Sequence, residues 1–186
     1  MGRIKQLHTG IMMLHLGLIF AGFAFGDHPI TFNVISYGVV LFLLRIKFWW
    51  DDEQYFLDVE NGKLEGGIAF KIGVALAVIS WIIWCFVFLF IRNLELSFFL
   101  MFVFFIPSTF WIVAAMAKKG AYSEQIPWLF FNIIYMAIFL LLYFRNEVNM
   151  FDNIEHFTTG LLAILFLTFL FDLGITRILE AKRNET

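Results

Sequence analysis

The sequence predicts an all-α integral membrane bundle of six transmembrane helices with both termini cytoplasmic, and three observations carry that expectation. The first is composition: 61% of the 186 residues are hydrophobic and 20% are aromatic, well above the roughly half apolar usage of soluble domains. Mean hydropathy is +0.84. The second is a series of six predominantly apolar segments, each near the ~20 residues a helix needs to cross a hydrocarbon core about 30 Å thick. The third is the placement of Lys and Arg. With the N-terminus inside, the cytoplasmic segments hold Arg3, Lys5, Arg45, Lys47, Lys63, Lys71, Lys118, Lys119, Arg177, Lys182 and Arg183, and the outer loops hold only Arg92 and Arg145. An odd number of spans would destroy this positive-inside bias.

The chain forms a single domain over residues 1–186. Its first span covers Thr9 to Gly26, and no small-x-small cleavage pattern closes it, so a retained span is expected rather than a signal peptide. A tight Gly26-Asp27-His28-Pro29 turn leads to the second span, Ile30 to Phe48, where Pro29 suits the first helical turn. The connection over residues 49–67 mixes Trp49, Trp50, Tyr55 and Phe56 with Asp51, Asp52, Glu53, Asp58 and Glu60. Aromatic rings suit the headgroup region and carboxylates suit water, which predicts a short interfacial helix between spans two and three. Its acidity favours a protein partner or a structural role over anionic lipid.

The third span covers Ile68 to Ile91 and the fourth Leu96 to Ala117. In the fourth, Pro107 is expected to kink the helix and free a carbonyl for Ser108 or Thr109. The fifth covers Ile126 to Phe144 and the sixth Asp152 to Ile178. Gly17, Gly22, Gly26 and Gly160 permit close helix approach.

Several classes are disfavoured. A net charge of −2 without a continuous basic stripe argues against nucleic acid as a partner. Cys85 is the single cysteine, which leaves no intramolecular disulfide and no thiolate cluster. No internal repeat is visible, which disfavours an inverted-repeat transporter. The expected location is a cell (inner or plasma) membrane, multi-pass, with the lipid bilayer as the main partner and a homo-oligomer as one way to complete a polar path.

Ionisable groups crowd an apolar segment most closely at N-M-F-D-N-I-E-H-F-T-T-G, residues 149–160, on the outer side. Asp152 and His156 are four apart and share a helix face, with Glu155 one position from His156. Two chemistries suit them. Imidazole and carboxylate ligate divalent metals, with His156 and Asp152 joined by His28 and Asp27 from the facing turn. Alternatively His156 acts as a general base oriented by Asp152, with Glu155 as a second carboxylate. Helix capping by Asp152, with Glu155 completing a capping box, accounts for the carboxylates without any chemistry. Deeper in the sequence, Asp172 is the clearest intramembrane charge, expected to pair with Arg45 or Arg177, while His15 and Asn132 either line a polar pathway with it or bond between helices.

The run at Asp152 to Gly160 resembles the D-x-x-x-H-F-x-x-G motif of the YjdF-like family of small polytopic membrane proteins, with a looser similarity to VanZ-like proteins. That resemblance implies motif roles for Asp152, His156, Phe157 and Gly160 without naming a reaction, and Phe151 stands where a Tyr is usual. The expected function is therefore a small membrane protein whose extracytoplasmic Asp/Glu/His site binds a metal or acts on a lipid or small solute. The alternatives are a transporter or channel subunit for a small ion or solute, and a non-catalytic accessory or immunity-type protein.

Overall fold

A computed structural model describes residues 3–25, 31–60, 68–86, 93–119, 125–147 and 153–184. Among them are six α-helices: α1 (Arg3–Phe25), α2 (Phe32–Glu60), α3 (Ile68–Phe86), α4 (Leu94–Lys119), α5 (Gln125–Tyr143) and α6 (Ile154–Asn184), with a single 3-10 turn at Phe144–Asn146. The described residues contain no strand.

Three helices begin on a side-chain cap that absorbs the first N–H groups, which no intrahelical carbonyl can reach. Thr31 Oγ1 accepts from the Val34 amide at 3.3 Å, and Asn93 Oδ1 accepts from the Leu96 amide at 2.9 Å. Asn153 Oδ1 accepts from the amides of Glu155 and His156 at 3.0 and 3.2 Å. Asn153, not Asp152, is thus the cap of α6, and Glu155 sits second in the helix rather than third as a capping box requires.

A second correction concerns the expected interfacial helix. α2 runs unbroken from Phe32 to Glu60, because beyond Phe48 neither Gly nor Pro occurs in the sequence until Asn61-Gly62. Its 29 residues extend about 43 Å at ~1.5 Å per residue. α4 likewise continues as one helix through Pro107, with the Ser108 hydroxyl donating to the Phe104 carbonyl at 3.2 Å.

The helices form a closed ring in which α1 packs on α2, α2 on α6, α6 on α5, α5 on α4, α4 on α3, and α3 back on α1. Side chains from α2 fill the middle. Phe48 meets Phe105 and Tyr135 with ring centres 5.5 and 6.4 Å apart, and Phe105 stacks on Tyr135 and Phe139 at 5.2 and 5.9 Å. Toward the start of α4 the polar contact is a three-way junction. Trp84 Nε1 donates to Ser97 Oγ at 2.7 Å and Tyr37 Oη shares a hydrogen bond with the same oxygen at 2.9 Å, joining α2, α3 and α4.

The outward faces are apolar. Ile68, Ile72, Leu76, Ile79 and Ile83 make an exposed stripe along α3, and Ile164, Leu167, Phe171, Ile175 and Ile178 make another along α6. Two stretches, Ile126–Asn146 and Ile154–Leu179, are long and apolar enough to cross a membrane, and Met12–Ala21 and Leu94–Phe110 are shorter apolar pieces.

Candidate functional site

Asp172 lies in the interior, 1% exposed, about 27 Å along α6 from Ile154 at ~1.5 Å per residue. Its Oδ2 is 3.0 Å from Lys47 Nζ of α2 and accepts a hydrogen bond from Tyr135 Oη of α5 at 2.9 Å. One carboxylate oxygen therefore ties three helices together. One turn further on, Thr176 donates its hydroxyl to the Asp172 carbonyl.

Why Lys47 meets Asp172 follows from how α2 and α6 pack. Asn33 accepts from Thr159 Oγ1 at 2.8 Å, Lys47 pairs with Asp172, and the Arg177 guanidinium lies 5.0 Å over the Trp50 ring. The partners are separated in sequence by nearly the same number throughout, so the two helices run parallel and in register over their full contact. Sequence reasoning singled out Asp172 but neither Lys47 nor Tyr135. Lys47 looked like one of several basic residues at a span end, and Tyr135 like one more ring among 26 phenylalanines.

Other polar groups are also buried in the bundle. Asn132, one helical turn from Tyr135, is buried on α5, and Thr168 is buried on α6. His15 of α1 packs on Trp81 of α3 with ring centres 5.5 Å apart, and Arg45 of α2 lies 5.6 Å over the same Trp81 ring. Toward the N-terminal end of α6 the buried positions become Leu161, Leu162 and Leu165. Thr168, Asp172 and Thr176 thus lie beyond these three leucines, which separate them from the buried Thr158.

The opposite end of the bundle is organised differently. Glu155 and His156 are exposed on the first turn of α6, and the Thr159–Asn33 bond holds that turn against the start of α2. Asp152, Asp27 and His28 lie outside the described residues. Among the described residues no group of three or more His, Cys, Asp or Glu side chains is placed to hold a metal ion. A separate contact closes α4 against α5: Arg145 Nη2 is 3.4 Å from Glu95 Oε1, and the Asn146 amide also donates to that oxygen. Polar contacts on this face are therefore split between an α2–α6 junction and an α4–α5 junction.

The chain matches no protein-family model, no curated protein and no solved structure.

Proposed function

We propose that the chain is an integral membrane protein of six spans with both termini cytoplasmic, and that it carries a small solute through the bundle by way of the Lys47–Asp172–Tyr135 cluster. The apolar outer stripes and the positive-inside distribution support the spanning topology. Within it, Asp172 sits about 10 Å inside the end of the Ile154–Leu179 stretch at ~1.5 Å per residue, in the cytoplasmic half. One observation carries the transport role: a carboxylate, an ammonium and a phenol from three helices converge in the apolar interior. Desolvating two charges costs several kcal/mol per ion, and hydrophobic side chains would hold the same helices together without that cost. Ionisable groups kept at such depth mark solute and ion pathways.

A solute site must be reached from water. In a Cys85→Ser background, Thr176→Cys and Asn132→Cys should react with a membrane-impermeant methanethiosulfonate applied to the cytoplasmic face of inside-out vesicles, and not from the outer face. Both positions are buried, so a cluster that serves only to brace the helices would leave both thiols unreactive from either side.

A second reading is favoured by the Thr159–Asn33 bond, which holds the start of α6 against the start of α2, four residues after Pro29 in the sequence. There the resemblance to the YjdF-like family would make His156 and Asp152 an outer metal or catalytic pair. Elemental analysis of the purified protein tests it: stoichiometric Zn, Fe or Mn should be present and should vanish in both His156→Ala and Asp152→Ala. Metal content unchanged by these substitutions would refute the metal form of that reading.

A further inference from the structure

The outward faces of α1 and α6 are complementary in size, level by level. On α1 the outward row runs Gly10, Leu14, Gly17, Ala21 and Ala24, positions four and three apart on one side of the helix and exposed except for the half-buried Ala21. On α6 it runs Ile164, Leu167, Phe171, Gly174 and Ile178, all exposed. Among the described residues nothing lies within 4 Å of where a Cβ would stand on Gly10, Gly17 or Gly174, so the smallness of these glycines serves no packing inside the chain. Contacts through α2 fix the relative depth of the two rows. Phe20 of α1 meets Phe42 of α2 with ring centres 5.5 Å apart, and α2 meets α6 126 positions further on, as at Asn33–Thr159. Phe20 is therefore level with Thr168. Because α1 and α6 run in opposite directions, each step back from Phe20 matches a step on from Thr168. Gly17 is then level with Phe171, and Leu14, the bulky member of the α1 row, is level with Gly174, the glycine of the α6 row. The other three levels set Gly10, Ala21 and Ala24 against Ile178, Leu167 and Ile164.

We propose that this flank is a self-association surface: a second copy of the chain docks so that α1 of one copy lies antiparallel against α6 of the other. The inference rests on the six-span topology proposed above, which gives every copy the same orientation in the membrane. A two-fold axis along the membrane normal then brings residues together only at equal depth, which is where the small and large side chains are matched. Acyl chains adapt to any contour and gain nothing from such matching, whereas helix association in a bilayer depends on close packing at small residues. α2 is packed on both α1 and α6, so the two-fold operation makes the α1–α6 contact twice, once on each side of α2. Three helix axes ~9 Å apart, over the ~21 Å between Ile164 and Ile178, present about 600 Å² per copy and about 1,200 Å² in all, which reaches the lower edge of stable specific interfaces.

The test is disulfide crosslinking in native membranes between two differently tagged full-length copies in the Cys85→Ser background, one carrying Gly17→Cys and the other Phe171→Cys. Under a mild oxidant the mixed dimer should form at least ~10-fold faster than when Ile164→Cys or Ile178→Cys replaces Phe171→Cys. Those two positions lie on the same face of α6 but about 10 Å away in depth, beyond the ~7 Å Cα separation that a disulfide can span. All four positions are exposed, so the variants keep the internal packing of the bundle. Without added cysteines, Gly17→Leu should weaken self-association at least ~10-fold, read as energy transfer between labelled copies in liposomes, and adding Phe171→Ala should restore it. Equal crosslinking at all three α6 positions, or none at any, would overturn the interface. So would wild-type association of Gly17→Leu, or a failure of Phe171→Ala to restore it. Protease cleavage of terminal tags separates this outcome from the topology. Tags cleaved only from the cytoplasmic side leave the six spans standing whatever the crosslinks show, and a terminus cleaved from the outer side would overturn the topology and this interface with it.

Discussion

Asp172→Ala is expected to destabilise the protein by roughly 3–5 kcal/mol, and Lys47→Ala by a similar amount, because either strips a buried charge of its ion-pair partner. The two side chains are 3% and 2% exposed, so bulk water does not rescue the survivor. The double variant Lys47→Met/Asp172→Leu is expected to be near wild-type stability or above it, since removing both ions also removes their desolvation cost. Tyr135→Phe takes away one hydrogen bond to a charged acceptor and should cost less, about 1.5–3 kcal/mol. Unfolding midpoints in detergent micelles check all four. Strong non-additivity, with the double variant more stable than either single Ala, is the expected result; simple additivity would show that the pair is not coupled. The double variant then serves as a folded protein whose site is gone, which separates bracing from binding.

Local signals made some of this architecture legible and long-range packing decided the rest. Length and apolar content located six helices near the six expected segments, and an acid inside F-L-F-D-L-G-I was conspicuous without any structure. Its partner was not. Arg45 and Arg177 were the bases named for it, and the observed ammonium comes from Lys47 because α2 and α6 run parallel in a register set by contacts as distant as Asn33–Thr159 and Trp50–Arg177. No local pattern encodes that register. The mixed acidic and aromatic stretch after Phe48 suggested a separate interfacial element because composition changes sharply there. A helix continues until a breaker stops it, however, and the first breakers beyond Phe48 are Asn61 and Gly62. The α6 cap was misplaced by one residue for a similar reason: Asp152 and Asn153 are both good caps, and only the backbone path selects between them. The outer charges were grouped by side of the membrane alone, and the ring order assigns Glu95 and Arg145 to one junction and Asn33 and Thr159 to another.

The second large effect is expected at Ser97, a residue with no charge and no motif. Ser97→Ala deletes the one hydroxyl that both Trp84 Nε1 and Tyr37 Oη contact. Two bounds frame the cost. Orphaning a buried donor in a protein interior costs about 1–3 kcal/mol each, whereas interhelical hydrogen bonds measured within membranes average about 0.6 kcal/mol because the dissociated helices find other partners. The surroundings favour the upper bound. Trp84 and Ser97 are 0% exposed and Tyr37 is 1% exposed, and the rings against them, Phe98 at 4.8 Å from Tyr37 and Trp81 at 5.2 Å from Trp84, offer no oxygen to replace the hydroxyl. A loss of about 2–3 kcal/mol is therefore expected for Ser97→Ala. A thermodynamic cycle with Tyr37→Phe decides between the bounds. If the orphaned phenol carries part of the cost, Ser97→Ala/Tyr37→Phe should be destabilised by clearly less than the sum of the two single changes. If the junction is worth only the membrane average, the single variant should unfold within about 1 kcal/mol of wild type, and the cohesion of α2 with α3 and α4 would then rest on ring packing alone.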